Sequence, residues 1–285
     1  QIGLEKLIIT IIQKIYIVTT GLRNKMEKII LDSGNEVLSN ERGMFSFVLQ
    51  YLACQKCFYR NNNTFIYFDM INKSSFFDKS IKNTNNVWEY FFKNEIKSKC
   101  EISSNSVFWT EIGNFYGYSC DLNDKYIRKE VDKIIKEKLI LKDDIKKEID
   151  LYYNQNIKGN KVLGIHKRGT DIGYHHDKKK MIEYFSYIDA VKSDYDLIFL
   201  STDERNVVDE FKKRYDNVIN YSYKTLSTSD KIPSFALDKK NGYQKGKDAI
   251  IDAYILSKCD FLLKTNSNLS NFSVLCNENL KFKTL

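Results

Sequence analysis

From Lys161 onward the chain alternates short apolar runs with amphipathic stretches, and that order leaves few folds open to it. KVLGIHK (161–167), DLIFLS (196–201), NVINY (217–221) and DFLLK (260–264) are too short for buried helices and read as strands. Helical spacing is expected over 179–193, 204–214, 246–258 and 268–277. Strands alternating with helices call for a parallel sheet covered on both faces, a doubly wound α/β domain. In such sheets ligands bind outside the carboxyl ends of the strands. Three strands here end in polar clusters: His166-Lys167-Arg168-Gly169-Thr170-Asp171, Ser201-Thr202-Asp203-Glu204, and Thr265-Asn266-Ser267-Asn268-Leu269-Ser270. An arginine fork at such an edge suits a phosphate.

The front half reads as a second α/β unit. KIILDS (28–33), a loop through Asn40 to Gly43, a helix over 44–58 and TFIYFDM (64–70) make a β-loop-α-β unit. A loop follows over 74–85, then a helix beginning near Val87 and a β-rich piece, NSVFWTEI (105–112). Apolar positions between Asp124 and Asn156 predict two helices leading into the second half. At 285 residues the chain is long for one core and comfortable for two, divided as 1–157 and 158–285.

Composition excludes several classes. The formal net charge of +8 comes from 45 basic against 37 acidic residues, a mixed surface rather than a basic tail, and no nucleic-acid-binding motif accompanies it. No nucleic acid is therefore expected as partner; a nucleotide diphosphate and an anionic membrane surface both fit the charge. Neither a dinucleotide fingerprint nor a P-loop is present. The six cysteines lack the spacing of a disulfide scaffold and suit a reducing cytoplasm, and Cys54 and Cys57 read as core thiols rather than zinc ligands. The first twenty residues are apolar but broken by Glu5, Lys6, Gln13 and Lys14, too interrupted to span a bilayer. A core helix, a helix followed by a strand, and a helix lying peripherally on a membrane all remain open for them.

The three carboxyl-end clusters, with Asp252 through Ser257 between them, resemble in order and spacing the fucosyltransferase superfamily that holds the α1,2-, α1,6- and protein-O-fucosyltransferases and the bacterial nodulation enzymes. NERGMFSFVLQYLA (40–53) is similar to that family's first glycine-containing loop and helix, and NVWEYFF (86–92) to a segment of its bacterial members. The resemblance implies a GT-B fold, two Rossmann-like domains facing across a cleft, with a C-terminal domain that binds GDP and an N-terminal domain that binds the acceptor. It implies inverting transfer of fucose from GDP-fucose to a glycan hydroxyl, with no cofactor and no metal. The same fold using another nucleotide sugar, or a binding protein without catalysis, are the alternatives.

Residue by residue, the resemblance places Arg168 on the β-phosphate of GDP, His166 beside the nucleotide and Asp252 on guanine. Arg168 would also stabilise the charge that builds on the leaving diphosphate. Asp203 and Glu204 are expected to order the pocket and meet ribose or guanine, with Glu204 alternatively in the first turn of the next helix. Thr265, Ser267 and Asn268 form either a phosphate cradle at a helix N-terminus or a plain N-cap. Asn40, Arg42 and Gly43 match the loop that faces the sugar nucleotide. His175 and His176 depart from the family pattern and are the candidate bases, with Asp171 an orienting group for Arg168 or itself the base and Asp177 a further candidate. Asp194-Tyr195-Asp196 has the form of a metal-binding D-x-D, but it precedes its strand, at the end away from this site, and reads as surface. Trp88 and Tyr90 read as core aromatics rather than an acceptor groove.

Overall fold

The computed structural model describes residues 26–32, 43–58, 64–70, 74–93, 102–108, 121–168, 181–222, 225–227 and 241–285. Asn40, Arg42, Asp171, His175, His176 and Asp177, the first twenty residues, and the end of the 105–112 piece lie outside these.

Two wholly parallel sheets organise the chain. In the front sheet β1 (Met26–Asp32) lies between β2 (Thr64–Asp69) and β3 (Ile102–Phe108). Between β1 and β2 runs α1 (Met44–Phe58), as the apolar run over 44–58 predicts. In place of a helix from Val87 there is one 3-10 turn, Val87–Tyr90. Asn86 explains this: its Oδ1 accepts from the backbone N–H of Met70 (2.9 Å) and Trp88 (3.1 Å), while its Nδ2 donates to the Phe68 carbonyl (2.7 Å). The turn is thereby pinned to the end of β2, and Trp88 packs on Phe68, Tyr51 and Phe92 at centroid distances of 4.6, 4.9 and 4.3 Å. Trp88 and Tyr90 are core residues.

Two helices, α2 (Lys125–Lys138) and α3 (Asp143–Asn156), follow as predicted, the first capped by Asp124, whose carboxylate accepts from the N–H of Tyr126 and Ile127. The rear sheet then has the order β6 (Val218–Ile219), β5 (Leu197–Thr202), β4 (Val162–Lys167), β7 (Phe261–Lys264), β8 (Lys281–Thr284). Helices α4 (Met181–Val191), α5 (Arg205–Arg214), α6 (Gly242–Leu256) and α7 (Asn268–Leu275) connect them. The chain builds outward from β4 to β6, then returns to the other side of β4 as β7. That reversal is a topological switch point. β8, which the sequence reading does not anticipate, is an exposed edge strand whose lysines mask its period, a composition that also discourages edge-to-edge pairing.

Two apolar cores flank the rear sheet. One holds Leu163, Ile165, Ile198, Leu200 and Leu263 against α4 and α5. The other joins α1, α2 and α3 to α6 and α7 in one continuous cluster, with Phe45 and Phe272 rings 4.8 Å apart. Buried Arg128 on α2 adds a polar tie, one guanidinium nitrogen donating to the carbonyls of both Asn277 (2.8 Å) and Leu280 (2.7 Å).

Helix α6 begins four residues before the predicted 246. Gly242 reads in sequence as a loop residue and Gly246 as the start of the helix, and both are close-approach positions inside it. A Cβ on Gly242 would stand 2.6 Å from the Phe77 carbonyl oxygen, and one on Gly246 would stand 2.5 Å from the Phe91 ring. Gly242→Ala should therefore lower stability by about 1–3 kcal/mol despite alanine's better helix propensity, because the obstacle is backbone. Urea unfolding measures this, and an unchanged midpoint would show that the 76–77 backbone yields freely.

Candidate active site

The site grows from the row of residues at the carboxyl ends of β5, β4 and β7. The ladders set Ser201 beside His166 and His166 beside Lys264. Past the last ladder pair, the Thr265 N–H donates to the His166 carbonyl (3.1 Å) and the Arg168 N–H donates to Thr265 Oγ1 (3.3 Å). Those two bonds hold the ends of β4 and β7 together. Arg168 itself is half-buried where the strand opens.

His166 is buried, its Nδ1 3.4 Å from Thr265 Oγ1, and the Tyr184 hydroxyl donates to its carbonyl. Burial, then the charges of Arg168, Lys264 and Lys167, hold its pKa down to about 3. It is thus a neutral imidazole and not a proton carrier near pH 7.

Beyond Thr265 the chain turns into α7. Ser267 occupies the N-cap position, but its side chain makes no cap hydrogen bond; its Oγ is buried without a partner, as is Asn268 Oδ1. Ser270 supports the turn from below, its hydroxyl donating to the Thr265 carbonyl (2.8 Å) and sharing with that of Ser267 (3.1 Å). The first-turn N–H groups of α7 are accordingly not covered by a side-chain cap, the arrangement a helix N-terminus offers to an anion.

On the β5 side, Glu204 stands at the N-cap of α5 rather than in its first turn, without a capping bond, and its carboxylate lies 3.5 Å from Lys167 Nζ. Asp203 is half-buried, and its carbonyl accepts from the Ser227 N–H (2.9 Å). Asp252 reaches the same end of the sheet from α6. Its Oδ2 accepts from the hydroxyls of Ser201 (3.0 Å) and Ser222 (2.8 Å), while its buried Oδ1 has no partner. Burial raises its pKa to about 8, outweighing the two hydroxyl bonds, and neighbouring Asp248 adds to the shift.

Of the residues singled out in the sequence, the structure brings His166, Arg168 and Thr265 together and joins Asp252 to Ser201 at the strand ends. Sequence reasoning misses Asp248, one helical turn before Asp252 and likewise buried, whose carboxylate accepts from Thr225 and Gln244. The four-residue spacing of the two aspartates was the available signal. It also misses Lys264, wholly buried at the end of β7, which looks in sequence like an ordinary strand terminus. Gly43 sits at the entry to α1, its carbonyl accepting from the Ser46 N–H (3.0 Å). At the opposite edge of the sheet, Asp196 accepts from the Lys161 N–H (2.7 Å) and Asp194 lies in the exposed 3-10 turn that follows α4, so this D-x-D does stand away from the strand ends that carry the site. Among the described residues no three histidine, cysteine, aspartate or glutamate side chains converge into a set that would hold a metal ion. No described helix is long and apolar enough to cross a membrane. Cys54 and Cys259 are buried and Cys276 is half-buried.

Two parallel α/β sheets, the rear one with a polar switch point, are the architecture of the GT-B fold, and the fold matches that of the GT-B fucosyltransferases. The sequence pattern of the family described as Nodulation protein Z (NodZ) matches residues 118–282, more than half of the chain, which therefore belongs to the NodZ family. The solved structure of NodZ alpha-1,6-fucosyltransferase soaked with GDP-fucose is similar at a TM-score of 0.51 and 15% identity, over 89% of this chain and 93% of that one. The form co-crystallised with GDP gives the same values. The selenomethionine fucosyltransferase NodZ from Bradyrhizobium gives a TM-score of 0.50 at 15% identity, over 89% and 93%. No curated protein matches the sequence significantly.

Both buried titratable groups should appear in the stability profile. His166 is neutral in the fold, whereas the unfolded chain takes up a proton near pH 6.5, so its contribution is complete above about 6.5 and lost as pH falls toward about 3. Asp252 keeps its proton in the fold while the unfolded side chain releases it near 3.9, so stability is lost as pH rises from about 4 to about 8. His166→Gln should flatten the acid-side loss and Asp252→Asn the loss above it. Urea unfolding at stepped pH reads both, and slopes identical to wild type would refute these assignments.

Proposed function

We propose that the chain transfers fucose from GDP-fucose to a glycan hydroxyl, with inversion at the sugar and without a metal ion. The observation that carries this reading is the joined end of β4 and β7, where Arg168 stands beside Thr265 and the uncapped start of α7. It offers a guanidinium fork, hydroxyls and helix N–H groups at one edge, the donor set that a diphosphate requires. Family membership, and a relative whose crystals were soaked with GDP-fucose, support reading that diphosphate as part of GDP-fucose.

In this proposal residues 158–285 bind the donor and residues 1–157 the acceptor. The acceptor hydroxyl attacks the anomeric carbon of fucose from the face opposite GDP, and the bond from that carbon to the β-phosphate oxygen breaks. The hydroxyl proton passes to a base, for which His176, His175 and Asp171 are the candidates. The charge developing on GDP is stabilised by Arg168 and the α7 N-terminus. Asp252, whose Oδ1 lacks a partner, is the acceptor for the guanine N–H groups once ionised. Thr265, Ser267 and Asn268 cradle phosphate; Asp203 and Glu204 border the ribose side; Asn40, Arg42 and Gly43 approach from the acceptor side. His166 serves as a neutral packing group.

Arg168→Ala should lower turnover of GDP-fucose several hundredfold, equivalent to about 2–4 kcal/mol of transition-state stabilisation, with the fold intact by circular dichroism. Lysine should restore only part of the loss, since it lacks the fork. Turnover by the alanine variant at the wild-type rate would remove Arg168 from the mechanism.

GDP release in EDTA should match that in buffer, because cationic side chains and a helix dipole take the place of a cation in this scheme. Complete inactivation by chelator, reversed by one divalent ion, would overturn the metal-free reading.

A further inference from the structure

Lys264 ends β7 and is only 1% exposed. Its ammonium donates to Asn271 Oδ1 (2.8 Å), lies 3.4 Å from the Thr265 carbonyl oxygen, and sits 5.9 Å from the centre of the Phe282 ring. Both hydrogen-bond acceptors are neutral. Among the described residues no carboxylate pairs with it, and burial alone lowers its pKa, to about 8, so it remains largely charged at pH 7. A buried cation with only neutral partners is costly to the fold, and the cost falls when an anion binds nearby.

The surroundings indicate where that anion would bind. Lys264 is the ladder neighbour of His166, which it reaches electrostatically, and the next residue is Thr265, against which the Arg168 N–H rests. The turn continuing from it carries the buried, unpartnered Ser267 hydroxyl and Asn268 Oδ1 and leads into α7, on which Asn271 lies. The Asn271 side chain also donates to Asn266 Oδ1 (3.2 Å), so the lysine and the turn share one hydrogen-bonded brace.

We propose that Lys264 is a positioning residue for the donor diphosphate: through Asn271 it braces the 265–271 turn, and its buried ammonium holds a standing positive charge beneath the anion which that turn receives. The inference rests on the reading of this edge as the diphosphate site. It does not require Lys264 to touch the substrate.

The test is calorimetric binding of GDP and of guanosine, which lacks the phosphates, to the wild-type chain, to Lys264→Met and to Asn271→Asp. The methionine removes the charge at similar volume, and the aspartate neutralises it in place. Each variant should raise the Kd for GDP by about ten- to a hundredfold and leave that for guanosine unchanged. Lys264→Met should not lower the melting temperature of the unliganded protein, since it relieves an unbalanced buried charge, whereas Asn271→Asp also loses the bond to Asn266 Oδ1 and is judged by its GDP-to-guanosine ratio alone. In turnover the donor KM should rise while the acceptor KM stays put. Equal weakening of GDP and guanosine together with a lower melting temperature would show that Lys264 is merely structural. Unchanged GDP affinity in both variants overturns this inference alone, and a wild-type chain that binds no GDP overturns the donor reading with it. Should Lys264→Met not fold, Asn271→Asp decides the matter.

Discussion

The junction of β4 with β7 is the constraint on which the site depends. Parallel strands that are neighbours in space but separated by about a hundred residues in sequence must be held in register by the ladder, and here the ladder continues one step further, from the Thr265 N–H to the His166 carbonyl. That step sets the hydroxyl of Thr265 under the backbone of Arg168 and starts α7 beside it. Had the chain added β7 beyond β6 instead, the arginine and the helix start would face different neighbours. The polar edge is thus a product of strand order as much as of residue identity.

Packing beneath that edge is unusually polar. Ser201, His166 and Lys264 form a row across three strands, met by Asp252 from α6 and by Asn271 from α7. Most of these groups are partnered, but Asp252 Oδ1, Ser267 Oγ and Asn268 Oδ1 are not. A core of apolar residues would be the more stable solution at every one of these positions. Desolvated dipoles and charges in fixed positions are, however, what a site needs if it is to meet a charged ligand without reorganising. The apolar remainder of the same cluster, running from α1 to α7, supplies the rigidity.

Much of this was legible in the sequence, for identifiable reasons. Strands such as VLGIHK and LIFLST are buried on both faces, so they appear as continuous apolar runs, and their polar ends stand out. The parallel α/β class and the likeness to the fucosyltransferases followed from those ends. What escaped depends on neighbours distant in sequence. The first turn of α6 was lost because Gly242 answers to the backbone of Phe76 and Phe77 rather than to local preference. The helix expected at Val87 shrank to one turn because Asn86 fastens it to β2. The charges of Lys264 and Asp248 look like solvent-facing residues until the helices cover them. His166, named from the family motif, owes its neutral state first to burial and then to the surrounding cations, neither of which the motif displays.

The clasp formed by Arg128 bears on how the molecule can come apart. One side chain near the middle of the chain holds two carbonyls close to its end, so the return into β8 is fastened by a group that lies outside the rear sheet altogether. A fragment cut near residue 158 would carry Asn277 and Leu280 without their donor and would expose the faces of α6 and α7 that α1 and α2 cover. The sheet edge that carries β8 is therefore fastened by a helix from earlier in the same chain, and motion of that helix would be felt at the outermost strand.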